Sequence, residues 1–258
     1  MATSLFNSVI FGPVQSRRLG VSLGVNLLPN DNKLCNFNCI YCECGWNPSG
    51  VKPRFNSRET VHQALHDTLL RMSAEGKTLD VITFAGNGEP TMHPGFEAII
   101  DDTIRLRDAF MPAAKISVLS NATLIGKESV RRALMKVDNN ILKLDSAFDE
   151  TVRLIDCPNN PGYTVAGTVG NIRKFNGKFI LQTMFLRGTF KGQTVDNTTE
   201  KEVAAWLEIV EELHPEKVMI YTIDRDTPAQ DLHKVPLDDL EAIAARVREL
   251  GIECSVSG

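Results

Sequence analysis

The sequence predicts an α/β fold built on a parallel sheet, and three observations support this prediction. Segments with the pattern of strands alternate six times with segments of helical pattern, the order expected when helices pack outside parallel strands. The chain has 258 residues, 43% of them hydrophobic and 23% charged, and a chain of that length buries about 75% of its unfolded surface, which suffices for one large core. It contains no internal repeat, low-complexity tract or linker. We therefore expect one domain over residues 21–258, preceded by an irregular lead-in over residues 1–20.

Six apolar segments carry the predicted strands. In the first, Val21, Leu23, Val25 and Leu27 alternate with smaller or polar residues, which is the period of a strand. The full set covers residues 21–28, 81–85, 115–119, 141–145, 179–186 and 217–222.

The helices are predicted from apolar spacing and from their capping residues. Ser57 can cap the first helix, whose apolar positions run over residues 61–72. Thr199 and Glu202 have the spacing of a capping box at the start of another helix, and Gly251 is a stop signal for the last one. Further helical patterns cover residues 96–107, 127–135 and 237–250, and a loose one extends to residue 174.

Two long segments interrupt this alternation. The first, from Pro29 to Asn56, has little periodicity and holds four of the six cysteines. A loop of that length inside a compact domain is unusual unless it is functional. The second, from Phe148 to Pro161, is predicted to be a loop that closes over a substrate as a lid.

Composition and charge narrow the class of protein. No apolar run approaches the roughly 18 residues of a membrane span, and residues 1–10 lack the features of a secretory signal. The net charge of -4 gives no general attraction to a phosphate backbone, although local basic patches would still serve. Clustered cysteines in a chain of this size indicate metal binding in a reducing compartment, so we expect a cytoplasmic protein.

The candidate metal ligands are Cys35, Cys39 and Cys42, which follow a C-x3-C-x2-C pattern with Tyr41 before the last. Three cysteines on one loop can bind three irons of a 4Fe-4S cluster and leave the fourth iron without a protein ligand. A zinc site that adds Cys44 is the alternative. Zinc sites usually combine two separated cysteine pairs, whereas all four thiols here lie on one loop. We therefore predict a three-cysteine cluster, with Cys44 as a neighbour.

Four segments carry a family resemblance: residues 11–20 (FGPVQSRRLG), 35–45, 86–90 (GNGEP) and 120–123 (SNAT). Together they resemble the radical S-adenosylmethionine (SAM) superfamily, in the branch related to wyosine-base-forming iron-sulfur oxidoreductases, and the resemblance covers nearly the whole chain. It implies an open, partial TIM-type (β/α)6 barrel, the radical SAM core. It also implies that the amino and carboxylate groups of S-adenosyl-L-methionine chelate the open iron.

The resemblance assigns further contacts to the cofactor. Glu89 matches the glutamate that holds the ammonium of the cofactor's methionine, and Tyr41 resembles the residue whose backbone reads the adenine. The alternative for the segment around Glu89 is a plain strand-to-helix turn. The other cofactor-binding residues implied are Gly86, Asn87, Gly88, Ser120, Asn121 and Gln182.

Lys143 and Asp145 are the candidate catalytic residues. They share one face of the fourth predicted strand, because side chains alternate along a strand. The pair forms either a polar site in the barrel mouth or a structural ion pair, and the resemblance favours the active site. Arg17 and Arg18 are either a solvated pair or include one guanidinium that reaches the site to hold an anionic or planar group.

The function that these residues predict is that of a radical SAM enzyme. The reduced cluster would cleave SAM to a 5'-deoxyadenosyl radical, which abstracts a hydrogen from a substrate such as a tRNA nucleoside. A peptide, protein or small-molecule substrate is the alternative, including glycyl-radical activation. An iron-sulfur electron-transfer or scaffold protein without a reaction is the third hypothesis. We expect a reducing partner such as flavodoxin or ferredoxin, and no membrane partner.

Overall fold

The computed structural model describes residues 4–16 and 19–258. The strands found there are β1 (Ile10–Ser16), β2 (Gly20–Val25), β3 (Val81–Phe84), β4 (Lys115–Ser120), β5 (Asn139–Lys143), β6 (Ile180–Met184), β7 (Leu186–Phe190), β8 (Gln193–Asp196), β9 (Lys217–Tyr221), β10 (Leu232–Lys234) and β11 (Glu253–Ser257). The α-helices are α1 (Arg58–Ala74), α2 (Phe96–Phe110), α3 (Glu128–Leu134), α4 (Asp149–Ile155), α5 (Val165–Ile172), α6 (Glu200–Leu213) and α7 (Leu237–Glu249). None of these helices is long and apolar enough to cross a membrane.

Eight strands form one curled, open sheet in the order β1-β2-β3-β4-β5-β6-β9-β11. The strand β1 is antiparallel to β2, and the other neighbours are parallel. Helices lie between successive parallel strands along the chain, which gives the six predicted βα units. The predicted α/β half-barrel is therefore confirmed. A separate antiparallel sheet has the order β10-β7-β8 and is formed by two strands that follow β6 and one that follows β9.

Local signals explain where the helices begin. The side chain of Ser57 accepts a hydrogen bond from the Thr60 N–H at 3.1 Å, and that of Thr199 accepts one from the Glu202 N–H at 3.3 Å, so both predicted caps are confirmed. Helix α1 buries one face against the core through Val61, Leu65, Leu69 and Met72. Inside the half-barrel, a second small apolar cluster contains Ile141, Ile180 and Met219.

The segment predicted to be irregular differs from the prediction. Residues Ile10–Ser16 form an edge strand, although Gly12 and Pro13 interrupt the pattern of a strand. An edge strand tolerates proline because one of its sides needs no hydrogen-bond donor, and the register shifts between Phe11 and Val14. The predictions for Arg17 and Arg18 fall outside the described residues.

Three other predictions need correction. The predicted loop at 148–161 contains α4, and the single strand predicted at 179–186 is divided into β6 and β7. The sheet has a further parallel strand, β11, which pairs with β9 after the last helix. These elements are short, so their sequences carried little periodicity.

Candidate active site

Leu34 joins the cysteine loop to the segment that follows β3. Its N–H donates to the carbonyl oxygen of Asn87 at 2.8 Å, and its carbonyl oxygen accepts from the N–H of Glu89 at 3.2 Å. At Gly88, where φ is 139°, a Cβ atom would lie 1.9 Å from the Leu34 carbonyl oxygen. Glycine is therefore required at this position, and the pairing brings Cys35 into electrostatic contact with Glu89.

The other side of the cysteine loop rests on the C-terminal end of α4. The N–H of Ile40 donates to the carbonyl oxygen of Ile155, and that of Asn38 donates to the carbonyl oxygen of Asp156, each at 2.9 Å. Carbonyl groups left unpaired at a helix end thus hold the loop. This segment had been predicted to be a substrate lid, and that prediction is wrong because Ile155 and Asp156 are buried beneath the loop.

The three predicted ligands have different surroundings. Cys39 is buried, whereas Cys35 and Cys42 are partly buried. Burial raises the pKa of Cys35 to about 12 and the pKa of Cys39 well above its usual value. A hydrogen bond from Cys44 lowers the pKa of Cys42 to about 6. The sulfur of Cys44 also lies 3.4 Å from the carbonyl oxygen of Gly86, so Cys44 links Cys42 to the segment after β3.

In the part of the chain that the structure describes, no three His, Cys, Asp or Glu side chains are gathered closely enough to hold one ion. The protein ligands of a 4Fe-4S cluster bind different irons and therefore surround a larger body.

A buried ammonium group supplies a test of whether the loop suits such a cluster. Lys33 is 3% exposed, and its Nζ donates to the carbonyl oxygen of Gly45 at 2.8 Å. Burial lowers the pKa of Lys33, and the electrostatic interaction with Cys42, Cys39 and Cys35 raises it above its usual value. A cluster held by three thiolates carries net negative charge, so a buried cation that faces all three cysteines fits the group.

Glu89 lies at the centre of a buried hydrogen-bond network. Its carboxylate, 2% exposed, accepts from the Thr91 N–H at 3.1 Å and hydroxyl at 2.5 Å, and from the Ser120 hydroxyl at 2.9 Å. Its second oxygen accepts from the Asn121 N–H at 2.7 Å. Burial raises the pKa of Glu89, and these hydrogen bonds oppose the shift. The network therefore places a carboxylate where β3 and β4 end.

Asn121 connects this network to the cysteine loop. Its side-chain nitrogen donates to Oδ1 of Asn36 at 2.6 Å and lies 3.6 Å from the sulfur of Cys35. The structure thus brings together Glu89, Ser120 and Asn121, which sequence reasoning had predicted as cofactor contacts, and places them next to a predicted cluster ligand.

Asn87 is a predicted cofactor contact whose side chain makes its hydrogen bonds within the fold. Its buried side chain donates to the carbonyl oxygens of Phe6 and Pro29 and accepts from the N–H of Phe6. The backbone N–H of Asn87 donates to the side chain of Asn26. These polar groups are used within the fold, so the Asn87 side chain joins the N-terminal segment around Phe6 to the segment that follows β3. At Gly86, a Cβ atom would come within 2.4 Å of Asn26.

Lys143 and Asp145 belong to a buried charge cluster that includes Asp156. The Nζ of Lys143 lies 3.3 Å from Oδ2 of Asp145 and 3.1 Å from Oδ1 of Asp156. It also lies 3.4 Å from the sulfur of Cys39 and 4.4 Å from the ring centroid of Tyr41. Burial lowers the pKa of Lys143, but the two carboxylates raise it well above its usual value. The predicted catalytic pair is thus an ion pair in contact with a predicted cluster ligand.

Asp156 is the member of this cluster that sequence reasoning missed. It is 1% exposed, and Oδ1 accepts from the Cys39 thiol at 3.2 Å. The hydroxyl of Tyr41 contacts both Asp145 and Asp156. No local signal could have identified Asp156, because its position depends on a contact between residues that are far apart in sequence.

The half-barrel encloses a cavity of about 500 Å³ beside these residues. Its wall combines apolar side chains, such as those of Leu119, Ile141 and Met219, with a similar share of polar ones. Gln182 also lines it and is 7% exposed. Its side-chain amide makes no hydrogen bond within the described residues, so the amide is available to a molecule in the cavity.

The N-terminal segment and one ion pair border this cavity. Phe6 stacks on Phe11 with a distance of 3.7 Å between ring centroids, and both rings line the cavity. At the rim, Arg225 pairs with Glu43 at 2.7 Å, which joins the loop after β9 to the cysteine loop. Residues of the chain itself thus cover part of the half-barrel's open side.

The family model of the radical SAM superfamily matches residues 31–201, a range that includes the cysteine loop, Glu89 and the buried charge cluster. The chain belongs to the radical SAM superfamily. The predicted resemblance is therefore confirmed, and membership implies an enzyme of this superfamily.

Two curated relatives differ in how much of their length they share with this chain. The chain is 29% identical over 235 residues to a protein named GTPase Obg from Brachyspira hyodysenteriae. The aligned region covers 90% of this chain and 32% of that protein. It is 30% identical over 234 residues to the UPF0026 protein MJ1312 from Methanocaldococcus jannaschii, which covers 89% of this chain and 67% of that protein. The chain thus spans about a third of the first relative and two thirds of the second.

Solved structures of radical SAM enzymes have the same fold. A radical SAM methyltransferase from Sphaerobacter thermophilus aligns with a TM-score of 0.69 and 14% identity over 92% of this chain and 65% of that one. TYW1 with a lysine-pyruvate adduct bound aligns with a TM-score of 0.62 and 16% identity over 88% of this chain and 73% of that one. At these identities the likeness concerns the fold alone.

Proposed function

We propose that the protein is a radical SAM enzyme whose 4Fe-4S cluster is held by Cys35, Cys39 and Cys42. The bound cluster and cofactor would supply reductive cleavage of SAM and the 5'-deoxyadenosyl radical that abstracts a hydrogen from the substrate. The observation that carries the proposal is the backbone pairing of Leu34 with the segment from Asn87 to Glu89. That pairing sets the loop that carries the three thiols beside the buried carboxylate network, with Cys35 nearest to it.

The roles of the polar residues follow from their contacts. Glu89 would face the ammonium of the cofactor's methionine, while hydrogen bonds from Thr91, Ser120 and Asn121 fix its orientation. Lys143 would donate to the Cys39 thiolate, held in place by Asp145 and Asp156. Lys143 and Asp145 thereby position the cluster loop in this proposal.

The volume of the cavity limits the size of the substrate group that can enter it. A space of about 500 Å³ is of the size that holds one small ligand, so a macromolecule would insert a single group. We propose a tRNA nucleoside whose base is turned out of its stack, as enzymes that modify bases in nucleic acids require. The amide of Gln182, which lines the cavity, offers a donor and an acceptor to the edge of a base.

A peptide or protein substrate is the second candidate. The net charge of -4 favours it, because binding to RNA draws much of its affinity from neutralised phosphates. A side chain of a peptide would occupy the same cavity. If binding to bulk tRNA weakens steeply as the salt concentration is raised, an RNA substrate is favoured. If binding does not depend on the salt concentration, a peptide substrate is favoured.

The proposed reaction also needs a source of electrons. We propose a low-potential donor such as flavodoxin or ferredoxin in the cytoplasm. All six cysteines are free thiols in the structure, which agrees with a reducing compartment.

The formation of 5'-deoxyadenosine tests the proposal without knowledge of the substrate. The protein is reconstituted anaerobically with iron and sulfide, reduced with dithionite and incubated with SAM. We expect 5'-deoxyadenosine above the level of a Cys39→Ala control, with Cys254→Ala as a matched variant that stays active. A protein that holds the cluster but forms no product, also with tRNA or peptide present, would point instead to an electron-transfer or scaffold role.

A further inference from the structure

Lys33 occupies an unusual position for a lysine. It lies two residues before Cys35, and its ammonium donates across the loop to the carbonyl oxygen of Gly45 at 2.8 Å. The side chain therefore spans the segment that contains all three predicted cluster ligands, and the ammonium interacts electrostatically with Cys42, Cys39 and Cys35. With 3% exposure, its charge is little screened by solvent.

The surroundings of Lys33 differ from those of the second buried ammonium group. The charge of Lys143 is shared with the carboxylates of Asp145 and Asp156. No carboxylate pairs with Lys33 within residues 4–16 and 19–258. Apart from the Gly45 carbonyl oxygen, the groups that interact with the Lys33 charge are thus the cysteines.

A fixed charge of this kind has a consequence for electron transfer. Reduction of a cluster adds one negative charge inside the protein, and a nearby buried cation stabilises the reduced form more than the oxidised form. We propose that Lys33 raises the reduction potential of the cluster held by Cys35, Cys39 and Cys42, an inference that rests on the proposed function. Lys33 would thereby determine which donors are strong enough to reduce the enzyme.

The test compares midpoint potentials of reconstituted protein, from redox titrations followed by the electron paramagnetic resonance signal of the reduced cluster. Lys33→Gln removes the charge but keeps a donor for the Gly45 carbonyl group, and Lys33→Met removes both. Lys191→Met is the matched control. Lys191 is exposed on the turn after β7, and its replacement removes the same positive charge. Iron and sulfide contents are measured for every variant.

We expect both Lys33 variants to have a more negative midpoint potential than the wild type, and Lys191→Met to match the wild type. Potentials of both Lys33 variants equal to that of the control would overturn the inference and leave Lys33 with a purely structural role. Loss of the cluster from both Lys33 variants, with normal loading of Lys191→Met, would also overturn it, because Lys33 would then be needed for assembly. Failure of the wild type to hold a cluster would instead contradict the proposed function.

Discussion

The backbone N–H of Asn121 donates a hydrogen bond to Oε2 of Glu89 at 2.7 Å. This bond joins the segments that follow β4 and β3, and the side chain of the same asparagine reaches the cysteine loop through Asn36. Hydrogen bonds within the protein therefore fix the orientation of the Glu89 carboxylate without a bound cofactor. Such preorganisation lowers the cost of binding.

Replacement of Glu89 by glutamine should weaken SAM binding about tenfold or more, since a hydrogen bond to a charged group is worth roughly 1.5–3 kcal/mol. Calorimetric titration of the reconstituted protein with SAM measures the affinity. Glu212→Gln, which removes a surface carboxylate paired with Arg173, serves as the control. An unchanged affinity of Glu89→Gln would show that Glu89 does not bind the cofactor.

Cys39→Ala should lose the cluster, whereas Cys44→Ala should keep most of its iron and its visible absorption. Cys44 contacts Cys42 and the Gly86 carbonyl group, so its removal takes away a supporting hydrogen bond and no iron ligand. Iron analysis and absorption spectra after anaerobic reconstitution distinguish the two variants. Equal loss of iron from both would make Cys44 a ligand and contradict the three-cysteine assignment.

Gly88→Ala should lower the free energy of unfolding by about 2–4 kcal/mol. A residue with a Cβ atom is strained at the φ of Gly88, and the added Cβ atom also makes a steric clash. The clash is with the Leu34 carbonyl oxygen, so cluster loading should fall as well. Gly50→Ala, on the cysteine loop, is the control: its φ is 71° and no atom lies within 4 Å of its added Cβ. Denaturant unfolding and iron content give the comparison, and equal effects would exclude the close approach as the cause.

Asp156→Asn should destabilise the protein by about 1–3 kcal/mol, because a buried ion pair and its hydrogen bonds are weakened. Lys143 keeps Asp145 as a partner, which limits the loss. Chemical denaturation of the protein without cluster measures the effect, with Asp226→Asn as an exposed control. If both variants unfold at the same denaturant concentration, the charge cluster does not stabilise the fold.

Asp102 should make stability dependent on pH. The hydrogen bond from Arg58, at 2.6 Å, lowers the pKa of Asp102 below its ordinary value of 3.8. A lowered pKa stabilises the fold above the unfolded-state value, and the contribution disappears as pH falls through the folded-state value. We expect Asp102→Asn to lower the free energy of unfolding by about 1 kcal/mol at pH 7. The difference from the wild type should become smaller below pH 3.8. Urea unfolding measures this difference, and a difference that does not change with pH would contradict the role of Asp102.

The elements that sequence analysis predicted correctly have local causes. Ser57 and Thr199 cap their helices through residues three positions away, and the inner strands are short apolar runs. Asp156 could not be predicted, because it meets Cys39 across a sequence separation of 117 residues. The structural use of Asn87 was hidden for the same reason, since its partner Phe6 lies 81 residues away.

These distant contacts also determine when the cysteine loop takes its final shape. Its N–H groups bond to the end of α4, and the carbonyl oxygen of Ile40 accepts from the N–H of Ala229 near the other end of the chain. During synthesis from the N-terminus, the partners of the loop emerge long after the cysteines themselves. The partners that fix the loop are therefore missing while most of the chain is being made, and in the proposed function this is the interval in which iron and sulfide would be delivered.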